Sequence, residues 1–356
     1  MPLFDLYWRF LGLPLSRAKG LITDAIPISL VELALWVGTA ATLLFALSWI
    51  PRMRPMLMRH RRITLCAGPF FLVALGLGQG AFPGSLAPSA WRTPLTQRLG
   101  SDSLAEPTFR DWVSAREASL HAALQSPGGA AHWNAFQALT EQQALRTCDT
   151  SLDAVLADLR LPAGRAVRAY KNMGPWTATL GLAYGGPAFH DPFFGEIAIV
   201  RDRDMPAPHF WRLIAACHEA AHAKGFTREM DAEILTQLAL LRLADPRFAT
   251  LADIHFLIKT GTKITWPDSL VAESKRVRAL REKTEAGQPV VRRLRTLARQ
   301  LGLQNSGKKY GARTANDKWN PHHPFFATVH RAEVLTEPKD AGEKKQKKSE
   351  TAHGRQ

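Results

Sequence analysis

A mainly α-helical fold (α+β) with a small β element, preceded by two transmembrane helices, is what this sequence predicts. Three observations lead there. Two long apolar runs lie near the N-terminus, helical periodicity dominates from residue 111 onward, and one short stretch alternates like a strand. The 356 residues leave room for one sizeable domain beside anchoring and linker segments.

Residues 1–27 form a leader, followed at 28–50 by ISLVELALWVGTAATLLFALSWI, whose single charge is Glu32. That length spans a bilayer core with some tilt. Residues 63–82 (ITLCAGPFFLVALGLGQGAF) are about the minimum for a second span, and their glycines and Pro69 are tolerated better in a membrane helix than in a soluble one. The loop between them carries Arg52, Arg54, Arg59, Arg61 and Arg62, and short arginine-rich loops stay cytoplasmic. The expected location is therefore a membrane, with lipid as a partner and the main domain outside the cytoplasm, which in a Gram-negative cell means the periplasmic side of the inner membrane. Residues 83–107 are rich in Pro, Ser and Gly and read as a linker, 108–335 as the domain, and 336–356 as a disordered basic tail.

Within the domain, Trp112, Ala115, Leu120 and Leu124 space one helical stripe; Trp133, Phe136, Leu139 and Leu145 space another after the Gly128-Gly129 break. Gly185-Gly186-Pro187 marks a turn, and Glu196 to Val200 alternates like a strand, which could take an extended substrate at its edge. Pro206 and Pro208 open a helix, Phe210, Leu213, Ile214, Cys217 and Ala221 give its buried stripe, and Gly225 closes it. Thr227 caps a second helix running to about Leu243; beyond Pro267 the chain is basic and helical from Ser269 to Leu303, then polar and loop-like.

The formal charge of +15 raises nucleic acid as a partner, but arginines are dispersed, the densest lysines sit in the tail, and no aromatic-plus-basic RNA motif or Cys/His finger spacing occurs. No specific nucleic-acid binding is expected. Cys66, Cys148 and Cys217 offer no disulfide framework and no CxxC metal pair; Cys66 and Cys217 read as small buried residues.

Chemistry concentrates in His218-Glu219-Ala220-Ala221-His222. Residues four apart share a helix face, so both imidazoles can reach one metal ion, with Glu219 at the adjacent edge to hold and deprotonate a water. This is the HExxH pattern of zinc peptidases, and zinc (Zn2+) is the cofactor it implies. A catalytic zinc site needs a third protein ligand. Gly225 fits the longer HExxHxxGxxH form, but Arg228 stands at its last position and cannot ligate. The following helix offers Glu229 as ligand, Glu233 as a brace for a ligand histidine, and Asp231 as the substitute if the helix phase differs by a residue. Acidic residues in a first helical turn also offset the macrodipole, so the pattern is not unique to metal sites.

The chain resembles a family of uncharacterised bacterial two-pass membrane proteins read as HExxH zinc metallopeptidases of the gluzincin type. The resemblance is carried by Ile26 to Glu32, by Phe193-Phe194-Gly195-Glu196, and by HEAAHAKGFTREMDAE from His218 to Glu233, where the family pattern is close to HELAHxxGxxREDEAN. Met230 and Glu233 depart from it, the latter putting a carboxylate where the pattern has an amide. The resemblance implies a membrane-anchored, zincin-like metalloprotein with no defined substrate.

The activity expected is hydrolysis of peptide bonds in a peptide or protein substrate, with His218, His222 and Glu229 on zinc and Glu219 as general base. Tyr310, His322, His323 and His330 are candidates for stabilising the oxyanion, while His190 and His209 read as surface or helix-start residues. Two rival readings are a non-catalytic membrane scaffold, against which the intact Glu219 argues, and a zinc hydrolase of a non-peptide envelope amide.

Overall fold

The computed structural model describes scattered positions between 21 and 40, most of 93–287, isolated positions between 289 and 300, and 323–336. The second predicted span, the basic loop, the Gly185–Pro187 turn, Tyr310, His322 and the tail all lie outside the described residues.

These residues form a mainly helical domain with one small sheet. In order they are α1 (Leu95–Leu99), α2 (Glu106–Gln125), α3 (Gly129–Gln137), α4 (Glu141–Asp158), β1 (Lys171–Asn172), β2 (Ala188–His190), β3 (Ile197–Ile199), α5 (His209–Ala223), α6 (Glu229–Arg242), α7 (Pro246–Thr260), α8 (Asp268–Ala286) and α9 (Pro324–Thr336). Helix α5 packs on α4 and α6, α6 also packs on α4, α7 and α9, and α7 packs on α2. Every residue of α6 from Asp231 to Leu240 is buried, which makes it the central rod of the domain.

The expected helical stretches form, with caps that explain their limits. The Thr140 side chain accepts from the Gln143 backbone N–H at 3.1 Å, and the Gln143 amide oxygen accepts from the Thr140 backbone N–H at 2.8 Å. This reciprocal pair satisfies donors that the start of α4 would otherwise leave open. On α2 the buried residues are Phe109, Val113, Leu120 and Leu124, whereas Ala115 is exposed and Trp112 half-buried, so the stripe sits slightly off the expected phase.

Several expectations are corrected. The Pro/Ser/Gly-rich segment 83–107 is not linker throughout: it contains α1, whose Leu95 is buried in the core. Thr227 does not cap α6; Arg228 holds that position and no side chain caps the helix. The stretch after residue 303 is not loop alone, because α9 buries Phe325, Phe326, Val329 and Ala332. The cysteines do form a disulfide, Cys148–Cys217, which ties α4 to α5 across 69 residues of sequence.

The sheet has the order β1-β3-β2, with β1 parallel and β2 antiparallel to β3. Lys171 pairs with Ala198, and Phe189 also pairs with Ala198 from the other side. Strand β3 is thus the central, fully buried strand and has no edge to offer a substrate. Both α5 contacts to the sheet are made through β2 and β3.

The beginning of the first apolar run docks on this domain. The Glu196 carboxylate, just before β3, accepts hydrogen bonds from the Ser29 hydroxyl (2.5 Å) and from the Leu30 and Val31 backbone N–H groups (both 3.0 Å), where residues 30–34 turn helical. Glu32, the lone charge of the run, accepts from the Thr177 backbone N–H at 2.8 Å and its hydroxyl at 2.9 Å. A side chain at Gly174 would strike Glu32, since a Cβ there would fall 2.4 Å from its carboxyl carbon. Among the described residues no helix is long and apolar enough to cross a membrane.

Candidate metal centre

Helix α5 presents two faces. Phe210, Leu213, Ile214, Cys217 and Ala221 are buried in the core, as their spacing predicts, and Pro208 stands at the N-cap. The opposite edge carries His218 and His222, half-buried, with ring centroids 4.6 Å apart. Past the C-cap Lys224, Gly225 takes a φ of 111°, a left-handed conformation that a side chain would strain. The chain then turns back, and the first residue of α6, Glu229, arrives beside both imidazoles.

His218 Nε2 lies 3.1 Å from Glu229 Oε2, and His222 Nε2 lies 3.6 Å from Glu229 Oε1. The three side chains offer ligand atoms all within 4.8 Å of one another. His222 is held from behind by a hydrogen bond, whereas His218 faces a carboxylate beyond hydrogen-bond distance. His222 Nδ1 is 2.6 Å from the Phe226 carbonyl, so it donates there and leaves the Nε2 lone pair free for an ion. His218 Nδ1 faces Glu233 Oε2 at 3.8 Å. The donor set of two imidazoles and one carboxylate suits zinc.

Charge in the cluster is concentrated. Glu229 is exposed at the surface end of the cluster, and hydrogen bonds from His218 and His222 hold its carboxyl far below the usual carboxylate range, outweighing its partial desolvation. Burial opposes a charge on His222, but Glu229 and Glu219 outweigh it and raise the imidazole to about 9. A cation bound between these carboxylates would displace the proton from His222, which could then ligate. Glu219 is buried, and burial pushes its carboxyl up; the His190 backbone N–H in β2 is its hydrogen-bond partner. Its other oxygen, Oε2, is buried without a partner. An orphaned carboxylate oxygen beside a three-ligand cluster fits a base that waits for a water.

Asp231, the alternative ligand, is corrected by its position. It is buried on another side of α6, where Oδ1 accepts from the backbone N–H of Leu95, the first residue of α1, at 3.0 Å. His330 packs on Trp112 with centroids 5.3 Å apart, and His323 Nδ1 accepts from the Phe325 backbone N–H at 3.3 Å, so both serve α9 and its packing. The His209 backbone N–H donates to Glu273 at 2.6 Å, as befits a helix start.

One part of the site has no counterpart in the sequence reading. Behind Glu233 lie His255 and Lys259 of α7: His255 Nε2 is 2.7 Å from Glu233 Oε2, and Lys259 Nζ donates to Glu233 Oε1 at 2.5 Å. The signal was the four-residue spacing of His255 and Lys259, which mirrors that of His218 and His222 and of Glu229 and Glu233. Comparison with known protein families, curated proteins and solved structures finds no match to this chain.

Proposed function

We propose that this chain is a membrane-anchored, zinc-dependent metallopeptidase. The observation that carries the reading is the convergence of His218, His222 and Glu229 on one point, next to a buried Glu219 with one unpartnered oxygen. His218, His222 and Glu229 would hold a zinc ion, and when bound it would supply Lewis acidity toward a water and a carbonyl.

The chain's own groups do the rest. Glu219, with its basicity raised by burial, accepts a proton from the attacking water and passes it to the departing amine as the C–N bond breaks. Its hydrogen bond to the His190 backbone fixes the carboxylate against β2. Because β2 is an outer strand of the described sheet, an extended peptide added along it would run past Glu219. This role replaces the one expected of β3. The Cys148–Cys217 disulfide favours an oxidising compartment, in line with a domain outside the cytoplasm. The hydrogen bonds joining residues 29–32 to Glu196 and Thr177 would hold the start of the first apolar run against the site-bearing domain.

The test is Glu219→Gln in the full chain, assayed by peptide-library cleavage. The variant should keep its zinc and lose turnover by at least about a hundredfold. Wild-type turnover in that variant refutes the assigned base.

A further inference from the structure

Three helices bring ionisable side chains to one line: His218 on α5, Glu233 on α6, and His255 with Lys259 on α7. We infer that Lys259 and His255 are positioning residues, which fix the Glu233 carboxylate so that it orients His218 for metal. The inference rests on the zinc reading of His218, His222 and Glu229.

The geometry is directional. Lys259 Nζ occupies Glu233 Oε1 at 2.5 Å, while Oε2 faces both His255 Nε2 at 2.7 Å and His218 Nδ1 at 3.8 Å. His255 is itself held: Nδ1 is 2.8 Å from the Gln237 amide oxygen, and the Gln237 amide nitrogen donates to the Ala252 carbonyl at 3.2 Å. His255 and Gln237 are fully buried, and Glu233 and Lys259 nearly so. A carboxylate this enclosed has few orientations, and the one it holds turns an oxygen toward the ligand imidazole.

Burying a carboxylate is unfavourable without a partner, and an ammonium beside it compensates. Here the carboxylate comes with its own cation on α7. A carboxylate behind a ligand histidine raises the basicity of the imidazole and fixes its ring, and loss of such a group weakens metal binding about 10- to 100-fold. Lys259 acts through Glu233, so its removal has the same effect only while Glu233 is present.

The experiment measures zinc affinity by competition with a chromophoric chelator, alongside the unfolding midpoint of the metal-free protein, on the full chain. Lys259→Met and Glu233→Gln should each weaken zinc binding about 10- to 100-fold. The double variant, which leaves no lone charge and so folds even if Lys259→Met does not, should bind as Glu233→Gln does. Arg116→Met removes an ion pair to Asp253 on the same helix α7, 3.1 Å long, and should lower stability without changing zinc affinity. Wild-type affinity in Lys259→Met, a further additive loss in the double variant, or an equal loss in Arg116→Met overturns the positioning role. A wild-type chain that binds no zinc, or a His218→Ala variant that binds it unchanged, overturns the zinc reading itself.

Discussion

Cutting the disulfide between α4 and α5 should cost the domain a large share of its stability. Cys148 and Cys217 are 69 residues apart. The chain-entropy relation for a loop of that size gives about 15 cal/mol/K, or about 4.4 kcal/mol at 25 °C. Both cysteines are fully buried, so no exposed surface offsets the loss. With a urea slope of about 2 kcal/mol/M, the midpoint should fall by about 2 M on reduction or in the Cys148→Ala/Cys217→Ala variant. The assay is urea unfolding followed by far-UV circular dichroism, with non-reducing peptide mapping to show the bond in the starting protein. Equal midpoints with and without reductant, in protein shown to carry the bond, would refute the reasoning. Two free thiols in protein isolated from its native compartment would remove its premise.

Other consequences follow from charges inside the fold. Lys224 is buried with Nζ 2.8 Å from both Asp149 and Asp153, so Lys224→Met should destabilise by about 3 kcal/mol, and adding Asp149→Asn should restore much of it; chemical unfolding measures both. Glu141 gives a pH signature. Burial raises its carboxyl, but the Arg212 hydrogen bond at 2.5 Å and its own backbone outweigh that and lower it from 4.5. Its contribution is therefore complete above pH 4.5 and is lost as the pH falls through the lower folded value, and Glu141→Gln should flatten that part of the stability–pH curve. Zinc affinity should fall as the pH drops through about 9, because ligation must displace the proton that Glu229 and Glu219 hold on His222, and a chelator titration across pH would show it.

The motif helix was legible because its signals are local. Proline at its start, glycine at its end and an apolar stripe between them fix α5, and the four-residue spacing then puts both histidines on one edge. Glu229 was legible for the same reason, since Gly225 allows only a short return. Other features depend on partners far away in sequence. Helix α7 is buried around most of its circumference, so no polar face gives it a period, and His255 and Lys259 have meaning only beside Glu233 of another helix. The Cys148–Cys217 pairing likewise needs the packing of α4 on α5. Asp231 shows the limit of local reading: as an acidic residue in a first turn it stands as the substitute ligand if the helix phase differs, yet its partner is the backbone of α1, 136 residues earlier.

The most direct measurement is the metal content of the chain purified without added chelator, compared with a His218→Ala/His222→Ala variant that remains folded. About one zinc per wild-type chain, and almost none in the variant, is the predicted result. Zinc absent from the wild type after exposure to the free ion, or retained equally by the variant, would contradict the assignment of His218, His222 and Glu229 as a metal centre.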